Sequence, residues 1–276
     1  MKNSTKIRTH VFDLDWNRHV TSRVYEKFSQ QGRSEILKEL GYPIRKCMEE
    51  ELVLIPEFTQ MRFLSQQFSG SELRIDSEVA AYRHGRLLWD HKIYGEDNSL
   101  ACELKLVTKS QKGRGENFSF LNGDEDLLPQ ELNHQFNHSC KQLVHDYFFP
   151  YSDLNCFMRY SPDAIWKVFE EGRWLFFSKV VDTTRITTLD TTSFFMGGKL
   201  YFFQMPKEGE KTKIHTWIES IEKIRFYLRQ DLVSESGTLL ASMRDEQLFV
   251  ALSTSRPKKA PLEFVAVVKD YVELTS

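Results

Sequence analysis

The feature that most constrains this chain is that it is written twice. Gly32-Arg33 recurs as Gly172-Arg173, 140 residues on, and the same spacing pairs Asp13-Leu14 with Asp153-Leu154, Lys27 with Lys167 and Leu100-Ala101 with Leu240-Ala241. Ile75 and Ile214 match with a one-residue slip. Scattered identities arise by chance. A register that holds from Asp13 to Ala101, with matching turn and cap chemistry, implies two copies of one supersecondary unit. The length of 276 residues also exceeds a typical single domain, so two domains, or one large two-layer domain, are the starting expectations.

Each copy opens on a strand-like run, Lys6 to Asp13 and His145 to Asp153, and passes into a helix. Thr21 is the expected N-cap of the first helix; its counterpart Ser161 is followed by Pro162 at the first helical position and Asp163 in the first turn. Val24, Phe28, Ile36, Leu37 and Leu40 give the first helix one apolar face, and Gly41 with Pro43 beyond it is a stop signal. Gly32 lies inside this helix, where it costs about 1 kcal/mol against Ala. Its recurrence as Gly172 predicts backbone passing close to an underlying sheet. Strands are expected over Glu51 to Leu64, Leu73 to Arg83, Arg86 to Tyr94 and Leu100 to Thr108, then over Ser193 to Phe203, Lys213 to Ile221, Ile224 to Ser234 and Leu239 to Leu252. One strand, one long helix and four antiparallel strands is the plan of a hot-dog domain. The expected class is α+β, a tandem or double hot dog, each copy an antiparallel sheet wrapped around a long helix. The expected boundaries are 1–110 for the first copy, 111–144 for a polar connector with some helix around Pro129 to Val144, and 145–276 for the second copy.

Composition narrows the partners. The formal net charge of -2 supplies no global basic field for nucleic acid or anionic membrane, which leaves only a local basic groove open. No apolar run is long enough for a membrane span, and none follows the first residues as a secretory signal would require. Cys47, Cys102, Cys140 and Cys156 are scattered without C-x-x-C spacing, which fits a reducing compartment and a cytoplasmic protein.

The junction ahead of the first helix reads Asp13-Leu14-Asp15-Trp16-Asn17-Arg18-His19-Val20-Thr21. This resembles the acyl-acyl-carrier-protein thioesterases, whose active-site segment has the pattern D-x-D-x-N-x-H-V before the hot-dog helix. The resemblance extends to the double hot-dog layout and so to most of the chain. It implies hydrolysis of fatty acyl thioesters without a cofactor, with acyl carrier protein or a coenzyme A thioester as partner and substrate. It also implies that Asp15, Asn17 and His19 share the catalytic tasks. A carboxylate can orient or deprotonate water, an imidazole works near neutral pH as base or acid, and an amide can hold the carbonyl or the water. The helix start that follows adds positive potential suited to an oxyanion.

The sequence departs from the family pattern in three places. The motif continues as Thr21-Ser22 rather than Asn-Asn, and it lies in the first copy, whereas the plant enzymes carry it in the second. Those enzymes also use an acidic residue on a later strand; the corresponding Ser65-Gln66-Gln67 offers amides, with Glu49, Glu50 and Glu51 upstream. A fourth catalytic residue is therefore left unassigned.

The repeat provides an internal control. Asp15 faces Asn155, Asn17 faces Phe157 and His19 faces Arg159, while Asp13 is kept as Asp153. This assigns Asp13 to the shared fold and Asp15, Asn17 and His19 to a single surviving site. The plain alternative is a polar strand-to-helix turn, and with it an acyl-binding module without catalysis. His134, His138, Cys140 and His145 read as solvated residues of a linker rather than metal ligands. Ser255 to Lys259 reads first as a solvated basic loop, with docking of an acidic carrier as the alternative. The aromatic runs Trp174 to Phe177, Phe194-Phe195 and Tyr201 to Phe203 read first as core. A double hot dog is already a pseudo-dimer, so either a monomer or a homodimer is compatible with the sequence.

Overall fold

A computed structural model describes residues 1–15, 18–83, 85–111 and 139–273. The chain folds into two compact units, Met1–Glu131 together with Leu154–Trp166, and Leu132–Asp153 together with Lys167–Ser276. The units and the sequence copies part company over Leu154–Trp166, which the repeat assigns to the second copy and the contacts to the first unit. Local packing accounts for this. Phe157 lies against the small cluster of Tyr42, Cys47 and Leu52, and Gln30 donates to Asp163 at 2.7 Å.

The first unit holds β1 (Lys2–Arg8), α1 (Ser22–Glu39), α2 (Ile44–Glu49), β2 (Leu54–Phe63), β3 (Glu72–Arg83), β4 (Arg86–Tyr94) and β5 (Leu100–Ser110). Its sheet runs in the order β1-β3-β4-β5-β2 with antiparallel neighbours. The second unit holds β6 (Leu143–Phe148), most of α3 (Pro162–Phe176), α4 (Thr183–Thr188), β7 (Thr192–Phe202), β8 (Lys211–Ile221), β9 (Arg225–Ser234), β10 (Leu239–Val250) and α5 (Leu262–Val268). Its own order, β6-β8-β9-β10-β7, is the same path from first strand to last, again antiparallel. The fold is a tandem hot dog.

The helix α1 forms where the apolar spacing places it. Val24, Tyr25, Phe28, Gly32 and Ile36 are buried along one side, while Lys27, Gln31 and Ser34 face water. Its end is a Schellman motif: Gly41 adopts φ +84, its N–H reaches Lys38 O at 3.0 Å, and the Tyr42 N–H reaches Leu37 O at 2.8 Å. Thr21 occupies the N-cap, but its hydroxyl caps nothing and is buried without a partner. The glycines do what their recurrence predicts. A Cβ on Gly32 would lie 2.0 Å from Ser77 Oγ and 2.9 Å from Ser77 Cβ on β3; one on Gly172 would lie 2.3 Å from Gln230 Nε2 and 3.0 Å from Ile214 Cγ2.

Several expectations move. The opening strands end at Arg8 and Phe148, earlier than the sequence suggested, because Val11–Asp13 and Tyr151–Asp153 close into 3-10 turns. The expected strand from Glu51 begins at Leu54, because Ile44–Glu49 forms α2 and its C-cap Glu50 and the positive-φ Glu51 (φ 51) end the turn. Of the aromatic runs, Phe176 and Phe202 are core, whereas Trp174 and Phe203 are exposed. The second unit's core is completed by α5, which brings Phe264 to within 4.9 Å of Phe249 and 5.2 Å of Phe226, ring centre to ring centre. Asn17, His134 and His138, with most of the 111–144 connector, lie outside the described residues. Among the described residues no helix is long and apolar enough to cross a membrane.

Candidate active site

The segment from Leu14 to Val20 is a loop pinched by an antiparallel bridge between those two residues. Inside it the Asp15 N–H donates to His19 O at 2.9 Å, the Arg18 N–H to Asp15 O at 3.0 Å, and the His19 N–H to Asp15 Oδ1 at 3.1 Å. Arg18 takes φ +68 to close the turn. The segment from Leu154 to Tyr160 repeats this bond for bond. The Asn155 N–H donates to Arg159 O at 2.9 Å and the Met158 N–H to Asn155 O at 2.9 Å; Met158 takes φ +54. The Asn155 amide oxygen accepts the N–H groups of Phe157 at 2.9 Å and Arg159 at 3.2 Å.

The backbone duty of Asp15 is thus shared with Asn155, since an amide oxygen accepts those bonds as a carboxylate oxygen does. What separates the copies is the charge of Asp15, not its presence in the turn. The sharper contrasts are Asn17 with Phe157 and His19 with Arg159. In the second copy Phe157 packs on Tyr42, Cys47 and Leu52, and Arg159 Nη2 donates to Gln111 Oε1 at 2.7 Å. Both side chains there are engaged in structure. Asp13 serves the fold: its carboxylate accepts the His10 N–H at 2.8 Å and its carbonyl accepts the Thr21 N–H at 3.1 Å, while Asp153 accepts Lys167 Nζ at 2.8 Å.

His19 is half-buried, and α1 begins three residues after it. Its ring meets Phe68 edge to face, with centroids 5.6 Å apart and planes at 68°. The loop carrying Phe68 is tied by hydrogen bonds to the junction and to Thr9, the residue after β1. The Val20 N–H donates to Gln67 O at 3.0 Å, the Thr9 hydroxyl to Phe68 O at 2.6 Å, and the Gly70 N–H to Thr9 O at 3.1 Å. Gln67 is itself buried, its amide Nε2 donating to Ser65 Oγ at 3.1 Å. So the amide-bearing loop does lie beside the motif, but it brings a ring and a carbonyl rather than an acid.

A second polar cluster is hidden beneath α1. Glu26 Oε1 accepts Arg33 Nη2 at 2.6 Å, Arg33 Nη1 lies 3.3 Å from His91 Nε2, and His91 Nδ1 lies 2.8 Å from Ser77 Oγ. All four side chains are buried. A guanidinium only donates, so His91 Nε2 accepts and the ring proton sits on Nδ1, aimed at the serine. Burial, then the Arg33 charge, holds His91 well below its usual range, and burial pushes Glu26 up against the pull of Arg33. The sequence signal for this cluster was faint: Glu26 and Arg33 are seven apart and share a helix face.

Cys47, Cys102 and Cys140 offer no nucleophile. Burial pushes Cys47 and Cys102 up, and in the second unit it carries Cys140 to about 11, so these sulfurs stay protonated near neutral pH. Among the described residues no three His, Cys, Asp or Glu side chains are placed to hold a metal ion. What remains at the junction is a carboxylate, an imidazole and a helix start, a set suited to activating water and stabilising a developing anion.

The sequence matches no protein-family profile and no curated protein. Solved structures do share its fold. A Lactobacillus plantarum protein provisionally described as an oleoyl thioesterase aligns with a TM-score of 0.71 over 90% of this chain and 96% of its own, at 11% identity. The 12:0-ACP thioesterase of Umbellularia californica aligns at 0.69 over 93% and 94%, with 10% identity, and an acyl-ACP thioesterase of Bacteroides thetaiotaomicron at 0.67 over 90% and 97%, with 9% identity. At such identities the likeness establishes the tandem hot-dog fold across nearly the whole chain.

Proposed function

We propose that this chain hydrolyses fatty acyl thioesters at a single site in its first copy, formed by Asp15, Asn17 and His19. The observation that carries this reading is the pair of matched loops. Their backbones close in the same way, yet one loop holds Asp15 and His19 while the other holds Asn155 and Arg159. A turn needs only the side-chain oxygen that both copies supply. The ionisable pair is extra, and it stands ahead of a helix N-terminus.

In this mechanism His19 takes a proton from water as the water oxygen attacks the thioester carbonyl, with Asp15 beside it in the same loop. Asn17 and the positive end of α1 stabilise the oxyanion. A preorganised donor of that kind is typically worth about 3 to 4 kcal/mol. Collapse breaks the carbon–sulfur bond, and the proton held by His19 passes to the departing thiolate. The products are a free acid and a free thiol. One Asp15 oxygen is committed to the His19 N–H, so any proton or water handling falls to the other.

Acyl-acyl-carrier-protein is the preferred substrate class, with acyl-CoA as the alternative; the two neighbours whose descriptions name an acyl-ACP substrate support this order. The four free cysteines fit a reducing compartment, and a cytoplasmic location belongs to the same reading. One observation favours a second reading, an acyl-binding hot dog without catalysis: Asp15 already has a structural task. Thiol release from purified protein on acyl-carrier and acyl-CoA substrates of several chain lengths separates the two. Release of thiol and acid together supports the hydrolase; acyl-thioester binding with no turnover of any substrate supports the module.

A further inference from the structure

The surroundings of His19 differ between the copies in a second respect. The loop after β2 and the loop after β7 leave their strands alike. The N–H groups of Leu64 and Ser65 both donate to Ala101 O, and those of Phe203 and Gln204 both donate to Leu240 O. They also rejoin alike, with Thr9 N–H on Ser71 O at 2.9 Å and Phe149 N–H on Glu210 O at 3.3 Å. That register sets Lys207 at the place of Phe68, just as Arg159 stands at the place of His19. An aromatic pair in one copy becomes two cations in the other. Ring contact is possible only in the first.

An imidazole on a surface loop turns about two side-chain torsions, and general acid–base work needs one direction of its ring nitrogens. The Phe68 ring at 5.6 Å and 68° lies within the range where edge-to-face pairs attract and favours one imidazole orientation. Phe68 is 53% exposed, and its loop is fastened by hydrogen bonds to Val20 and Thr9 that do not involve this ring. Its ring is therefore dispensable to the loop while touching a residue of the proposed site.

Resting on the reading of His19 as acid and base, we propose that Phe68 is a positioning residue that helps hold the His19 imidazole for catalysis. The test compares Phe68→Ala, Phe68→Tyr and Phe68→Leu by steady-state kinetics and by the NMR ring-current shifts of the His19 imidazole protons. The expected result for Phe68→Ala is a kcat lowered roughly 3- to 10-fold at unchanged KM, with the shifts lost. Phe68→Tyr is expected to restore both, and Phe68→Leu neither. Wild-type kcat in Phe68→Ala, or rescue by leucine as full as by tyrosine, overturns the proposal. The two readings fail separately. If the ring-current shift is present but His19→Ala keeps full activity, the His19 assignment falls and positioning with it. If His19→Ala is inactive and Phe68→Ala unaffected, positioning alone falls.

Discussion

Asp15 and Asn155 close their loops with the same kind of oxygen, and this identity makes one substitution unusually informative. Asp15→Ala would remove the turn contact and the charge together. Asp15→Asn removes only the charge, because the protein already uses asparagine in that geometry at 155. Stability of Asp15→Asn is expected within about 0.5 kcal/mol of the parent, measured by denaturant midpoint. Thioester hydrolysis is expected to fall on the order of 100-fold or more. Retained activity in a stably folded Asp15→Asn would show that the carboxylate serves the turn and nothing else. From the sequence, the contrast of Asp15 with Asn155 looked like a lost catalytic group. In the structure it is a kept acceptor with an altered charge, a distinction residue order does not carry because it depends on which atom faces the backbone.

At the scale of elements, the long helices are fitted to their sheets through one glycine each. The Ser77 side chain fills the space a Cβ on Gly32 would need, down to its own Cβ, whereas the nearest atom to Gly172 is the end of the longer Gln230 side chain. Gly32→Ala is therefore expected to cost about 1 to 3 kcal/mol, and Gly172→Ala less, as read from Tm shifts. Ser77→Gly in the Gly32→Ala background should recover part of the loss; no recovery would place the clash elsewhere. The helix crossing was legible because glycine inside an apolar helical pattern has few explanations, and the strands β3 to β5 and β8 to β10 were legible from alternation bounded by turn residues. The opening strands were overrun, since the 3-10 turns at Val11–Asp13 and Tyr151–Asp153 have no periodic signature in so few residues. The link from Phe68 to His19 was hidden for a different reason. The two residues lie far apart in the chain, and the bonds of Thr9 and Val20 to that loop bring them together.

For the molecule as a whole, each unit repeats one strand order, and the two have diverged in their buried charges. The first unit closes Arg33 with a carboxylate on its own helix, the second closes Arg173 with Asp245 on β10 at 2.8 Å. In the second unit burial also pushes Asp231 from 3.8 to about 6 while Ser242 donates to it. The native state therefore holds that proton more tightly than the unfolded chain does. The stability it confers is present below the unfolded carboxylate range and is lost as pH rises through about 6. Asp231→Asn is expected to raise stability at pH 8 by about 2 to 3 kcal/mol, the gain shrinking toward pH 4; a gain independent of pH would contradict the burial account. The central claim is that a duplicated fold kept one active site, in the copy that holds His19. The most direct measurement is kcat/KM for hydrolysis of an acyl thioester by the parent, His19→Ala and Arg159→Ala side by side. The account predicts a loss on the order of 100-fold or more for His19→Ala and activity near the parent's for Arg159→Ala. Equal losses in both, or no loss in His19→Ala, would contradict it.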